Sequence, residues 1–355
     1  MKKRIIIIIL SIILLIAISI GLSAYFLLLH HYKGTSINNP FSSSDEFNID
    51  NIKTIKKEKD EDFVILNLAD VQMCDLEDLG NMKIIKKEID ELVSKTKPSL
   101  ITLTGDQTWS NENLICLKSL IRWLDSYKIP YAPVFGNHDH GNSYDSAVAG
   151  INYCSDLYEK GKYSLFSRGP SNLDSLGNYV VNIMEDDKIY STLYFLDAGY
   201  NDIITDKQLE WVKWNAEGIK NNNDGVYTNG MCFMHKPIPE FETALIDYYN
   251  GEPIEKKGDV EVYYSTYGTI QNGFFALAKE INIKNIICGH QHGNICSLKY
   301  DSIWLTFALK TGELGGYIKD EELYLNGATY FTLNNYEVDI DNCFVDYKKY
   351  HIKDE

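Results

Sequence analysis

Five short blocks of this 355-residue chain gather Asp, Asn, Gln and His, each closing a run rich in apolar residues. They are Ala69-Asp70-Val71-Gln72, Thr104-Gly105-Asp106-Gln107, Gly136-Asn137-His138-Asp139-His140, Met234-His235-Lys236 and Gly289-His290-Gln291-His292. Carboxylate, carboxamide oxygen and imidazole are donors that divalent Mn, Fe and Zn accept. Each block taken singly has an ordinary use. An Asp after a strand caps a turn or a helix, an Asn sits in turns, and a His-x-His pair is commonly surface. Their joint occurrence reads instead as a metal centre. The glycines before Asp106, Asn137 and His290 suit tight turns that aim those side chains inward.

The elements around the blocks explain how they converge. Phe63–Leu68 reads as a buried strand, and Met82–Lys95 has a helical stripe through Ile84, Ile85, Ile89 and Leu92. Ser99–Leu103 is the next strand, Glu112–Tyr127 the next helix and Pro130–Phe135 a third strand. That alternation predicts a parallel α/β unit. In such sheets ligands bind outside the carboxyl ends of the strands, where the blocks fall. Further on, Tyr179–Met184 and Tyr190–Leu196 read as an antiparallel pair, with helices at Leu209–Ile219 and Ile270–Ile281. Gly230–Met234 and Ile286–Cys288 are extended, and a β-rich tail runs to about Tyr347. The expectation is one large α/β domain over residues 61–350, holding two sheets.

Before it, Met1-Lys2-Lys3-Arg4 leads into an almost unbroken apolar run from Ile5 to Leu29. Such a run can span the roughly 30 Å hydrocarbon layer as a helix, and the basic residues ahead of it place Met1 in the cytoplasm. Residues 1–32 are therefore expected to be a cytoplasmic stub and transmembrane signal-anchor, with the catalytic domain outside. A cleaved signal peptide, cut near Gly21, Ser23 and Ala24, is the competing reading and gives a secreted protein. The run continues past that point through Tyr25–Leu29, which favours the anchor. Residues 33–60 are polar and aperiodic and read as a tether.

Hydrophobic residues make up 45% of the chain, enough for a sizeable core, and the net charge is −16. That acidity disfavours nucleic acid as the main partner and, with no basic aromatic stripe, a nuclease, although bound cations reverse the potential of an acidic site. The seven cysteines lack zinc spacing. Cys116, Cys232 and Cys288 read as buried thiols, and pairing among Cys74, Cys154, Cys296 and Cys343 stays open for an exported domain. Trp211 and Trp214, at helical spacing, read as core. His30 and His31 read as interfacial and His351 as tail, while His140 is either a contact to substrate or to the residues around the ligands, or a surface residue.

In its five ordered blocks the chain resembles the calcineurin-like metallophosphoesterase superfamily. The resemblance implies a four-layer α/β/β/α sandwich with two mixed sheets and two divalent ions, Mn, Fe or Zn. Asp106 would bridge both ions. Asp70, Gln72 and His292 would complete the first site, and Asn137, His235 and His290 the second. His138 would face the leaving group, with Asp139 orienting and charging it. The implied reaction is hydrolysis of a phosphate ester or anhydride by metal-activated water. Its substrate would be a phosphorylated small molecule or a phospholipid headgroup. Gln72 stands where many members have His, and an amide oxygen is the weaker ligand, although manganese-dependent ADP-ribose/CDP-alcohol diphosphatases also carry Asp-x-Gln. Trp109 stands where purple acid phosphatases have a metal-binding Tyr, so no tyrosinate–iron site is expected. The alternative is an inactive metal-binding cell-surface receptor or scaffold, to which Gln72 alone points.

Overall fold

A computed structural model describes residues 2–31, 33–73, 79–108, 113–140, 150–199, 203–259, 273–312, 317–320 and 323–345. Cys74, Trp109 and His351 lie outside them, as do the side chains of His30 and His31.

The helices are α1 (Lys2–His31), α2 (Leu79–Thr96), α3 (Asn113–Tyr127), α4 (Asn137–His140), α5 (Ile151–Lys160), α6 (Asp206–Asn221), α7 (Pro239–Tyr249) and α8 (Phe274–Glu280). The strands run from β1 (Lys53–Lys57), β2 (Phe63–Leu68), β3 (Leu100–Thr104) and β4 (Tyr131–Val134) to β5 (Tyr179–Glu185), β6 (Lys188–Phe195) and β7 (Asn229–Met234). They continue with β8 (Glu255–Asp259), β9 (Ile283–Cys288), β10 (Ile295–Tyr300), β11 (Ile303–Phe307), β12 (Tyr317–Asp320), β13 (Leu323–Asn334) and β14 (Glu337–Val345).

Two mixed sheets result, making an α/β sandwich. The eight-stranded sheet has the order β1-β5-β6-β7-β9-β11-β10-β8; the six-stranded one has β12-β13-β2-β3-β4, with β14 also on β13. Strands β2, β3 and β4 are parallel neighbours, as are β6, β7, β9 and β11. Strands β2, β3, β4, β7 and β9 carry the polar blocks at their ends. Their nearly continuous apolar sequence follows from being covered on both faces. The inner faces of the sheets meet through such contacts as Phe233 with Phe331, ring centroids 6.3 Å apart.

Local chemistry sets the helices. In α2 the stripe Met82, Ile85, Ile89 and Leu92 is buried against β14, β13 and β2. A capping box starts α6, with Thr205 and Gln208 satisfying each other's backbone donors. Pro239 opens α7, where its missing N–H has no partner to lose. The antiparallel pair expected after Tyr179 is β5 with β6. Trp211 is buried and Trp214 packs on the same core. Cys116, Cys154, Cys232, Cys288, Cys296 and Cys343 are free thiols.

Residues 33–60 correct the tether expectation, because they are docked on the domain. Strand β1 pairs in parallel with β5 at the sheet edge. Phe41 is buried, and the Phe41 and Phe47 rings pack edge-on to Trp214 at 5.3 and 5.1 Å. A Cβ on Gly218 would lie 2.2 Å from the Phe47 ring, so a glycine in mid-α6 admits that ring. The segment escapes a periodicity reading because its apolar residues make irregular contacts. Helix α1, by contrast, has no buried residue in Lys3–Tyr25, and among the described residues it is the one helix long and apolar enough to cross a membrane.

Candidate metal centre

The blocks meet at the carboxyl ends of β2, β3, β4, β7 and β9. Beyond those ends the backbone turns sharply, and Asp70, Gln72, Asp106 and His290 all have positive φ, +49°, +45°, +50° and +67°. Each such residue costs about 1–2 kcal/mol relative to the right-handed region. Surrounding bonds hold the strain in place. Gln72 N donates to Asp106 O at 2.9 Å, Met73 N to Gln107 O at 3.0 Å and Thr311 N to Ala69 O at 2.8 Å. Strain concentrated at one spot is typical of a functional site. Gly105, at φ +85°, leaves the space that His235 fills; a Cβ there would be 2.4 Å from its ring.

Asp106, His235 and His290 place ligand atoms within 4.8 Å of one another. His235 Nδ1 lies 2.9 Å from Thr104 O. A carbonyl only accepts, so Nδ1 carries a proton and Nε2 is the nitrogen turned inward. That Nε2 faces Asn137 Oδ1 at 3.0 Å, His290 Nδ1 at 3.2 Å and Asp106 Oδ2 at 3.3 Å. Four metal-competent atoms thus converge on one small buried space. Burial would lower the His235 pKa, but Asp106 outweighs it and raises it to about 9. Burial, reinforced by His235, pushes His290 down to about 3, leaving it neutral. Burial works against ionised Asp106 as well, yet His235 and His138 hold its carboxyl below the ordinary range. The donor set fits a divalent cation of the Mn, Fe or Zn kind.

Asp70, Gln72 and His292 form the adjoining half. Both Asp70 carboxylate oxygens accept from His290 N, at 3.1 and 2.9 Å, and Oδ1 lies 3.2 Å from His292 Nε2. Gln72 Nε2 is 3.4 Å from His292 Nε2. Its Oε1 accepts from the buried Lys310 ammonium at 2.7 Å, and that ammonium also donates to Asp70 O at 2.6 Å. Burial would raise the Asp70 pKa, but His292, His235 and Lys310 together hold it below the usual range. His290 and His292 thus address different halves. The turn between them is tight rather than extended, with Gln291 N donating to Gly289 O at 2.7 Å.

All nine sequence-derived site residues come together, but one takes a different job. Asp139 accepts from Gly136 N at 2.9 Å, from Gln107 N at 3.3 Å and from the Thr108 amide and hydroxyl at 3.2 and 3.3 Å. It fastens the loop after β3 to the loop after β4, which differs from orienting the His138 ring. Burial, then the nearby Asp106, raises its pKa to about 7. His138 N donates to Asp106 Oδ1 at 2.9 Å, and its Nε2 lies 3.7 Å from Asp106 Oδ2. His140 is mostly buried and lies 2.7 Å from Asp197 Oδ2, so it is no surface residue. Asp197 and Lys310 are site neighbours that the sequence reading missed. The first followed the same strand-end rule, after β6; the second was a lone charge closing an apolar run, Phe307-Ala308-Leu309-Lys310.

The family model described as calcineurin-like phosphoesterase matches residues 63–294. The chain belongs to that family. Among curated relatives, it is 26% identical over 251 residues to Phosphatase DCR2 of Saccharomyces cerevisiae, covering 62% of this chain and 41% of that protein. It is 24% identical over 230 residues to Probable inactive purple acid phosphatase 29 of Arabidopsis thaliana, covering 58% and 57%. The chain spans about half the length of these relatives. The solved structure of GAP50, the anchor in the inner membrane complex of Plasmodium, aligns with a TM-score of 0.47 at 15% identity, covering 81% of this chain and 85% of that one.

Proposed function

We propose that the protein hydrolyses a phosphate ester or anhydride with metal-activated water. The observation that carries this reading is the convergence of ligand atoms from Asp106, Asn137, His235 and His290 on one buried space. Divalent metal at this centre would supply a water of lowered pKa and charge to neutralise phosphoryl oxygens. Asp106 would be shared by two sites, with Asn137, His235 and His290 completing the second and Asp70, Gln72 and His292 the first. His138 donates a proton to the departing oxygen. Its backbone is pinned by Asp106, and Asp139 keeps the loop in place. Thr104 O fixes the ring of His235 so that its free nitrogen points inward.

The substrate class is a phosphorylated small molecule or a phospholipid headgroup; the net charge of −16 argues against nucleic acid. Helix α1 anchors the domain outside the cytoplasm, supported by its basic start and its unburied apolar length. Alkaline carbonate extraction tests that placement, and recovery of a shortened soluble form would replace the anchor with a cleaved signal.

One observation favours a second reading, an inactive metal-binding surface protein: Gln72 offers its amide oxygen to Lys310. The Arabidopsis relative's name, which calls it probably inactive, points the same way, while the yeast relative is named a phosphatase. The full chain in neutral detergent, with manganese, should hydrolyse p-nitrophenyl phosphate or its bis ester. Asp106→Asn and His138→Ala should abolish the reaction. A parent that binds manganese yet cleaves neither ester nor a diphosphate substrate would leave the binding reading in possession.

A further inference from the structure

We infer that the Lys310 ammonium is the resident cation of the Asp70–Gln72–His292 half-site. The centre therefore takes one divalent ion tightly and a second about a hundredfold more weakly. The inference rests on the metal reading above and is independent of hydrolysis.

Lys310 follows β11 of the eight-stranded sheet, where the chain leaves to stitch onto the end of β2 in the other sheet. Thr311 N donates to Ala69 O, and Gly327 N to Lys310 O at 2.9 Å. Its side chain is 1% exposed, too deep for a solvated surface lysine. An ammonium only donates, so the partner it meets at 2.7 Å must be the oxygen of the Gln72 amide. That bond fixes the amide, and its N–H₂ end is left facing His292 Nε2 at 3.4 Å. The one atom of Gln72 that could bind a hard cation is turned away from its neighbours, and a donor is turned toward them. A dication arriving here must break the Lys310–Gln72 bond and sit near a buried positive charge, and both raise the cost of binding. In the Asp106 half, by contrast, Asp106, Asn137, His235 and His290 turn their ligand atoms on one another.

The test is manganese titration of the full chain in neutral detergent by calorimetry, with elemental analysis after desalting. Wild type should retain one equivalent, with a second, weaker event in the isotherm. His290→Ala should remove the tight event and His292→Ala should spare it. Lys310→Met should tighten the weak event about tenfold or more, since it removes the charge and frees the Gln72 amide. Two equivalents of like affinity in wild type, with hydrolysis intact, overturn this inference alone. So does a folded Lys310→Met whose weak event is unchanged, or loss of the tight event in His292→Ala. Binding of no manganese overturns the metal reading and this inference together. The wild-type isotherm decides the matter even if Lys310→Met does not fold.

Discussion

Asp106 and Asp70 follow neighbouring parallel strands and share the left-handed backbone conformation, yet their surroundings balance charge in different ways. Around Asp106, the His235 and His290 rings and the Asn137 amide oxygen turn ligand atoms on one another, while His138 N donates to the carboxylate. Around Asp70, a backbone N–H, the His292 ring and a buried ammonium already supply the positive side. The comparison teaches that a ligand inventory is not a binding site. The same residue types turn ligand atoms on one another in one half and are tied to a buried ammonium in the other, and that ammonium belongs to a lysine outside every sequence block.

The largest expected effect breaks both halves at once. Asp106→Asn should lower the initial rate about a thousandfold, as loss of a charge-stabilising group does at its upper range, and elemental analysis should find its metal content reduced. Next comes the contrast between the halves. His235→Ala should weaken the tight manganese event by more than about a hundredfold, because a first ligand outweighs the 10–100-fold typical of supporting groups; an unchanged isotherm would erase the distinction. Gly105→Ala should cost about 2 kcal/mol in denaturant unfolding, from its left-handed backbone alone. It should also displace the His235 ring, lowering tight-site affinity without touching a ligand. The smallest effect lies away from the site. Phe47→Ala should remove about 1 kcal/mol, the scale of one edge-on aromatic pair, and speed proteolysis within residues 33–60. Manganese binding should stay as it is, and a change would couple that segment to the centre.

Much of this arrangement was legible in the sequence. The strand ends carrying Asp70, Asp106, Asn137, His235 and His290 follow from apolar runs closed by Gly and polar residues, which is local information. The roles of Asp139, Lys310 and residues 33–60 were not legible. Asp139 next to His138 invites a pairing, but the amides of Gly136, Gln107 and Thr108 claim its carboxylate. Lys310 reaches Gln72 across 238 residues of chain, a distance at which spacing holds no information. The Phe41 and Phe47 contacts with Trp214 obey no period, so they left no pattern to find.

The sequence by itself determined which donors exist, the strand ends they occupy and the apolar N-terminal helix, because periodicity and turn chemistry act over a few residues. Only the tertiary structure decided which way the Gln72 amide points, which nitrogen of His235 turns inward and which half of the centre meets the Lys310 ammonium. Those depend on single hydrogen bonds between elements far apart in the chain, set when two sheets close on one another.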